Sequence, residues 1–324
     1  MKKTNIIERF VELLLQKIPK RSLLVTEIAD ILKIERESAS RRLSGRVLFT
    51  VEEVYKLAAV YGISLDGLLK EEENLSSFSL MPPTVVKSFD TLINQTTDFM
   101  QYNWKLYETE VEMGTVFDSL PLEFCIGFPE LCKFLYFKWG HFFIGSEEFY
   151  HYSSWHLPPA ILNYHRKLKE VYHRYESILY IWDTSVIRNL MSDILYFQKL
   201  YLLTAEEIKQ IKQDIHNVLN NLEALSRGSY DANISLCEGE FTLYVASTNI
   251  GMYYSYHFSK TDCFCFFKRD MLQAPFNYDR TTCEKLREWV HAMTKVSTLI
   301  SGSGGKERRL FFEEQHRIVD EIAN

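Results

Sequence analysis

Between Glu71 and Pro83 the chain reads Glu-Glu-Glu-Asn-Leu-Ser-Ser-Phe-Ser-Leu-Met-Pro-Pro, a polar run closed by two prolines with little apolar surface to bury. A stretch of this kind cannot sit inside a core, so it divides the chain. The expected organisation is a domain over residues 1–70, a linker over 71–83 and a larger domain over 84–324. Charge follows the same division. Residues 1–70 hold 13 Lys/Arg against 9 Asp/Glu, a net of +4, while the rest holds 24 against 34, a net of −10. Contact with a polyanion needs a surplus of cations, so the basic end is the part fitted for it. With 46% hydrophobic residues over 324 positions, the larger part has ample material for a core.

Several classes are excluded early. No stretch approaches the roughly 20 uninterrupted apolar residues that a membrane span requires. Met1-Lys2-Lys3-Thr4 leads into a charged amphipathic segment rather than a signal-peptide core, so the expected location is the cytoplasm, with no membrane partner. Six cysteines are too sparse for a disulfide framework, and Cys125, Cys132, Cys237 and Cys283 sit beside apolar residues as buried thiols do. Cys263 and Cys265 would face the same way on a strand, yet no second Cys/His pair stands at ligand spacing, and neither metal nor cofactor is assigned.

In the first domain Ile6, Ile7, Phe10, Leu13 and Leu14 recur at helical spacing until Pro19. Thr26 can cap a short helix carrying Ile28, Ala29, Ile31 and Leu32, with Glu27 and Asp30 favouring its amino-terminal end. Ile34 closes a tight turn, and Glu35 to Leu43 reads as a second short helix with Ala39 and Leu43 on its buried side and Gly45 after it. Two such helices joined by a short turn form a helix-turn-helix unit. Thr50 and Glu53 then make a capping box for a helix with Val54, Leu57, Ala58 and Tyr61 inward and Gly62 behind it, and Ser64 to Leu69 begins a fifth.

This order resembles the λ-repressor/Cro-like DNA-binding domain over about residues 5–70. The resemblance is carried by Thr26-Glu27-Ile28-Ala29-Asp30-Ile31-Leu32, by Glu37-Ser38-Ala39-Ser40-Arg41-Arg42-Leu43-Ser44-Gly45, and by Leu57-Ala58 through Gly62-Ile63-Ser64-Leu65-Asp66. It implies that Glu35 to Leu43 is the recognition helix, with Arg36, Glu37, Ser40 and Arg41 in or against the major groove of double-stranded DNA. The full expected contact set is Arg36, Glu37, Ser38, Ser40, Arg41, Arg42 and Arg46. Lys33 stands where the family usually has Gly, and Arg42 where an apolar residue is common. The competing reading is a helical bundle whose charges only solvate it or bind a protein.

The second domain mixes periods. Val85, Val86, Phe89, Leu92 and Ile93 mark a helix, and Pro129 suits the start of another. Ser177 to Trp182 reads as a strand ending at Asp183, which can cap a helix carrying Ile187, Leu190, Ile194 and Leu195. Thr204 and Glu207 form another capping box, opening a helix whose Ile208, Ile211, Ile215, Val218, Leu222 and Leu225 make a seam for a neighbouring helix or a dimer partner. Ile234 to Leu236, Phe241 to Ala246, Met252 to Phe258 and Asp262 to Phe267 read as an antiparallel meander, to be covered by helices over Thr281 to Ile300 and Glu307 to Ile322. The expected fold class is therefore an all-α helix-turn-helix domain followed by a larger α+β domain, helices plus a short antiparallel meander. Ser301 to Lys306 reads as a flexible hinge rather than a phosphate loop, lacking the P-loop spacing.

Tyr152, Trp155, His156 and His165 lie in a His- and Tyr-rich stretch and are either core and surface aromatics or the lining of a ligand pocket. No catalytic motif appears, and enzymatic activity is not expected. The expectation is a sequence-specific DNA-binding transcriptional regulator, a homodimer whose carboxy-terminal domain senses a small-molecule effector or dimerises. The alternative is an enzyme or defence-type effector whose helix-turn-helix only targets or autoregulates.

Overall fold

In the computed structural model, which describes residues 6–61, 63, 65, 88–90, 110–228, 239–268 and 276–321, the apolar spacing at the amino-terminal end folds into helices α1 (Ile6–Lys17), α2 (Arg21–Leu32), α3 (Arg36–Leu43) and α4 (Val51–Tyr61). They enclose Phe10, Leu14, Leu24, Ile28, Ala39 and Leu57, with Phe10 and Phe49 meeting edge to face at 6.0 Å. The helix α2 begins at Arg21 rather than at a Thr26 cap. Leu23, Leu24 and Val25 extend it upstream, and the Thr26 hydroxyl bonds back to the Ser22 carbonyl at 3.1 Å from inside the helix. The chain divides into two units, Met1–Ser77 and Phe78–Asn324. The expected linker over 71–83, most of the helix expected over Val85 to Ile93, and all but Leu65 of the helix expected from Ser64 lie outside the described residues.

The second unit is built on a seven-stranded sheet of order β6-β5-β4-β1-β2-β3-β7. Its strands are β1 (Val111–Phe117), β2 (Tyr175–Trp182), β3 (Glu240–Ala246), β4 (Tyr254–Phe258), β5 (Cys263–Phe267), β6 (Phe276–Asn277) and β7 (Ser297–Leu299). The central three run parallel and all other pairings are antiparallel. Parallel neighbours require crossovers. Between β1 and β2 the chain passes through α5 (Leu122–Cys125), α6 (Pro129–Phe143) and α7 (Pro159–Tyr172), and between β2 and β3 through α8 (Val186–Lys199) and α9 (Ala205–Ser226). The helices α10 (Arg280–Thr294) and α11 (Gly305–Glu321) complete the unit.

Alternation along the strands assigns the two faces. Met113, Phe117, Ile178, Tyr180, Trp182 and Leu243 join the large core with α6, α8, α9 and α11, while Val116, Ile181, Ala246 and Tyr256 pack with Cys283 and Val290 of α10. The sheet is thus covered on both faces. Helices followed by a larger domain of sheet and helices are the expected class, but Phe241 to Ala246 is not part of the meander: β4, β5 and β6 form it, β1 and β2 separate β3 from β4, and the strand expected over Ile234 to Leu236 lies outside the described residues. The crossover through α8 and α9 delivers β3 beside β2 instead. The helix expected to reach Ile300 stops at Thr294, because Ser297-Thr298-Leu299 pairs with β3 as an edge strand.

The seam of α9 is filled from within its own unit, since Ile208, Ile211, Ile215, Val218 and Leu222 are all buried in the large core. Its capping box is present, with Thr204 Oγ1 accepting from the Glu207 amide at 3.3 Å. The stretch expected as a hinge is tied down. Ser301 Oγ accepts from the Leu243 amide at 3.1 Å, and Arg308 Nη1 donates to the carbonyls of Ser226, Ile300 and Gly302 at 3.0, 3.1 and 3.2 Å. Among the described residues no helix is long and apolar enough to cross a membrane.

Two buried histidines are held as neutral rings. His165 Nε2 pairs with the Tyr136 hydroxyl at 2.9 Å, and His257 pairs with the Tyr175 hydroxyl at 2.6 Å and with Ser255 at 3.1 Å. Burial pushes His165 down to about 4 and His257 to about 3. A base whose folded pKa lies below its unfolded value of about 6.5 leaves the unfolded chain to take up the proton first, so its stabilising effect is complete above pH 6.5 and declines as pH falls toward the folded value. Denaturant titrations should therefore show the second unit losing about 2 kcal/mol per histidine between pH 6.5 and 5. His165→Gln should flatten that slope; a slope unchanged by the substitution would show that His165 takes up protons freely in the fold.

Candidate nucleic-acid interface

Eight residues, Arg-Glu-Ser-Ala-Ser-Arg-Arg-Leu, make α3, and their spacing splits them cleanly. Ala39 and Leu43, four apart, are buried, and the small Ala39 and Ala29 allow α2 and α3 to cross closely. The turn between the two helices is set by Lys33, which adopts φ 54° and donates its amide to the Ala29 carbonyl, as Ile34 does at 3.0 Å. The left-handed conformation that glycine usually supplies is therefore held here by a lysine.

On the outer side Arg36, Glu37, Ser40 and Arg41 form one exposed stripe at three- and four-residue spacing. Arg41 meets Glu37 at 3.4 Å, but both side chains are at least half exposed, so the pair contributes little and Arg41 can exchange it readily. Arg36 and Arg46 make no ion pair among the described residues. Arg46 continues the stripe past the helix, its amide bonded to the Arg41 carbonyl at 3.0 Å and Gly45 turning the chain at φ 72°.

Arg42, expected among the DNA-contacting residues, is engaged inside the unit. Its Nε donates to Glu53 Oε2 at 2.9 Å, its Nη2 lies 2.8 Å from Glu53 Oε1, and both side chains are over four-fifths buried. Ser38 is half-buried, and its carbonyl accepts from Arg42 Nη1 at 3.4 Å. Glu53 also accepts from the Thr50 amide at 2.9 Å while donating its own amide to Thr50 Oγ1 at 3.2 Å, closing the capping box of α4. The Arg42 guanidinium beside it holds the Glu53 carboxyl below its ordinary range. The capping-box pattern marked Glu53 as a cap; its second task, gripping α3, had no signal in the chain other than an arginine where an apolar residue is common. The carboxy-terminal end of α3 is fastened as well, by Arg21 Nη2 donating to the Leu43 carbonyl at 3.2 Å.

The four residues expected at a ligand pocket separate. Trp155 and His156 line a cleft of about 490 Å³ with Glu148 and His151. Tyr152 is buried against Phe137, ring centroids 5.0 Å apart, with the Lys133 ammonium 4.3 Å from its own ring. His165 belongs to the core pair with Tyr136. Cys263 and Cys265 share one side of β5, packed with Cys283 beneath α10.

Replacing Glu53 by Ala removes a helix cap and leaves a part-buried guanidinium unmatched, which should cost the first unit about 2 kcal/mol. Amide exchange in α3 and α4 of the full chain reads this out, and unchanged protection would contradict the bridging role. Lys33→Gly should instead stabilise the unit, by about 1 kcal/mol, through relief of the left-handed turn.

The chain matches no curated protein and no solved structure. Residues 2–97 do match a family model, that of the BetR domain, which is a helix-turn-helix-type DNA-binding domain.

Proposed function

We propose that the chain is a sequence-specific transcriptional regulator that inserts α3 into the major groove of double-stranded DNA. The observation that carries this reading is the division of labour on α3: Arg42 is spent on Glu53, while Arg36, Arg41 and the adjoining Arg46 stay outward and exchangeable. The match of residues 2–97 to the BetR domain supports it, and the helix order gives the λ-repressor/Cro-like geometry as the finer reading. In that geometry Arg41 pairs its planar fork with a guanine edge, Glu37 accepts from an exposed base amine, and Ser40 with Arg46 holds phosphates. A homodimer would place two copies of α3 in half-sites about one helical turn apart. The second unit then binds a signal rather than catalysing a reaction, and the protein works in the cytoplasm, where the DNA is.

Binding to genomic fragments, followed by footprinting, identifies a site against which variants are measured. Arg41→Ala should lose about 1–3 kcal/mol for that site, roughly ten- to a hundredfold in affinity, with little change on random DNA. Arg46→Ala should weaken binding to all sequences alike and lower the salt slope by about one. Equal affinity of the wild-type chain for every sequence would refute the regulator reading.

A further inference from the structure

Next to the carboxyl ends of the central parallel strands the second unit holds a cavity of about 290 Å³. Asp118 and Ser119 enter it directly after β1, and Asn189 enters from α8, the helix that follows β2. Crevices outside the carboxyl ends of parallel strands are where sheets of this kind take ligands, because the loops there are free to vary over a fixed scaffold. Here the rim is fixed too: Asp183, at the end of β2, accepts amides from Ser185, Ile250 and Gly251 and so ties the start of α8 to the loop leading to Tyr253.

Leu120, Leu135, Val186 and Leu190 give the cavity an apolar strip. Four charged groups face the same space. Lys138 and Asp193 cancel one another in an ion pair of 2.7 Å. The other two stand in no ion pair among the described residues: Lys268 rests its ammonium 4.6 Å from the Tyr253 ring, and the Asp118 carboxylate makes no hydrogen bond. Burial pushes Lys268 down to about 8 even though Glu123 and Asp118 pull the other way. One cation and one anion, neither held in an ion pair or a side-chain hydrogen bond among the described residues, thus border a cavity lined by polar and apolar groups in about equal measure, which suits a ligand that brings both opposite charges and an apolar group.

We infer that this cavity binds an α-amino acid with an apolar side chain, its carboxylate on Lys268, its ammonium on Asp118 and its side chain against Leu120, Leu135 and Leu190. The inference rests on the reading of the second unit as the receiver of a small-molecule signal, and it names the class of that signal. A doubly charged phosphate is disfavoured by the Asp118 carboxylate on the same rim. A simple fatty acid leaves Asp118 unmatched, and a simple amine leaves Lys268 so.

Calorimetric titration of the full chain with leucine, isoleucine, valine, methionine and phenylalanine tests the assignment. Two truncated probes accompany them: 4-methylpentanoate, which is leucine without its ammonium, and 3-methylbutylamine, which is leucine without its carboxylate. At least one amino acid should bind saturably; for leucine, each truncated probe should be more than about tenfold weaker. Lys268→Met and Asp118→Asn should each cost the same tenfold or more, with a cooperative thermal transition showing that each variant is folded. Absence of binding by all five amino acids, or equal binding of a truncated probe, overturns the proposal. Operator binding is measured on the same preparations. Loss of the amino-acid signal with intact, sequence-specific DNA binding would sink only the ligand assignment, whereas sequence-independent DNA binding with a normal amino-acid titration would sink only the regulator reading.

Discussion

A single carboxylate orients the whole candidate interface. Glu53 grips the Arg42 guanidinium with both oxygens and at the same time closes the first turn of α4 through Thr50. Because the two contacts share one side chain, the roll of α3 about its own axis is coupled to the start of α4. The outward position of Arg36, Ser40 and Arg41 follows from this coupling as much as from the burial of Ala39 and Leu43. An ion pair of this kind adds little net stability over apolar packing, but it specifies one orientation where a purely greasy contact would tolerate several. In a helix of only eight residues such specification has few other sources.

The second unit meets a different demand. A sheet with a parallel centre must be covered on both faces, and the chain supplies the cover unequally, with α6, α7, α8, α9 and α11 on one side and α10 on the other. The inequality shapes the core. Its larger half is crowded with aromatic rings, among them Phe117, Phe124, Tyr180 and Trp182, whose mutual contacts are edge-on or tilted for the most part. Buried polar atoms there include the chain Tyr175 to His257 to Ser255 to Thr115 and the single pair Tyr136 with His165, while Trp182 Nε1 and Gln315 Oε1 find no hydrogen-bond partner among the described residues.

Much of this was legible in the residues. Local signals read well: the two capping boxes, the strand ending at Trp182, the helix opened by Pro129 and the turn before α3 all depend on neighbours a few positions apart. What could not be read depended on distant partners. Phe241 to Ala246 is a plausible meander strand by its own pattern, and only the length of the preceding crossover puts it beside β2. Ser297 to Leu299 continues a helical period, yet an open edge on β3 captures it as a strand. Thr26 offers a good cap, and the leucines before it outweigh that offer. At the interface, the exposed stripe was visible, but which of the adjacent arginines turned inward was decided by Glu53, eleven residues away. The cavity at the strand ends drew Lys268 and Asp118 together across more of the chain still, with no motif to announce it.

The Arg308 guanidinium reaches the end of α9, the residue after β7 and the tight turn at Gly302 from one position near the start of α11. Two stretches of backbone, one at Ser226 and one from Ile300 to Gly302, thereby share one donor, much as a rivet joins two plates. The final helix is accordingly part of the frame and not an arm that can swing away. Graft a reporter or an extra peptide beyond Glu321 and the frame should be indifferent; splice the same peptide between Ser301 and Arg308 and the plates come apart.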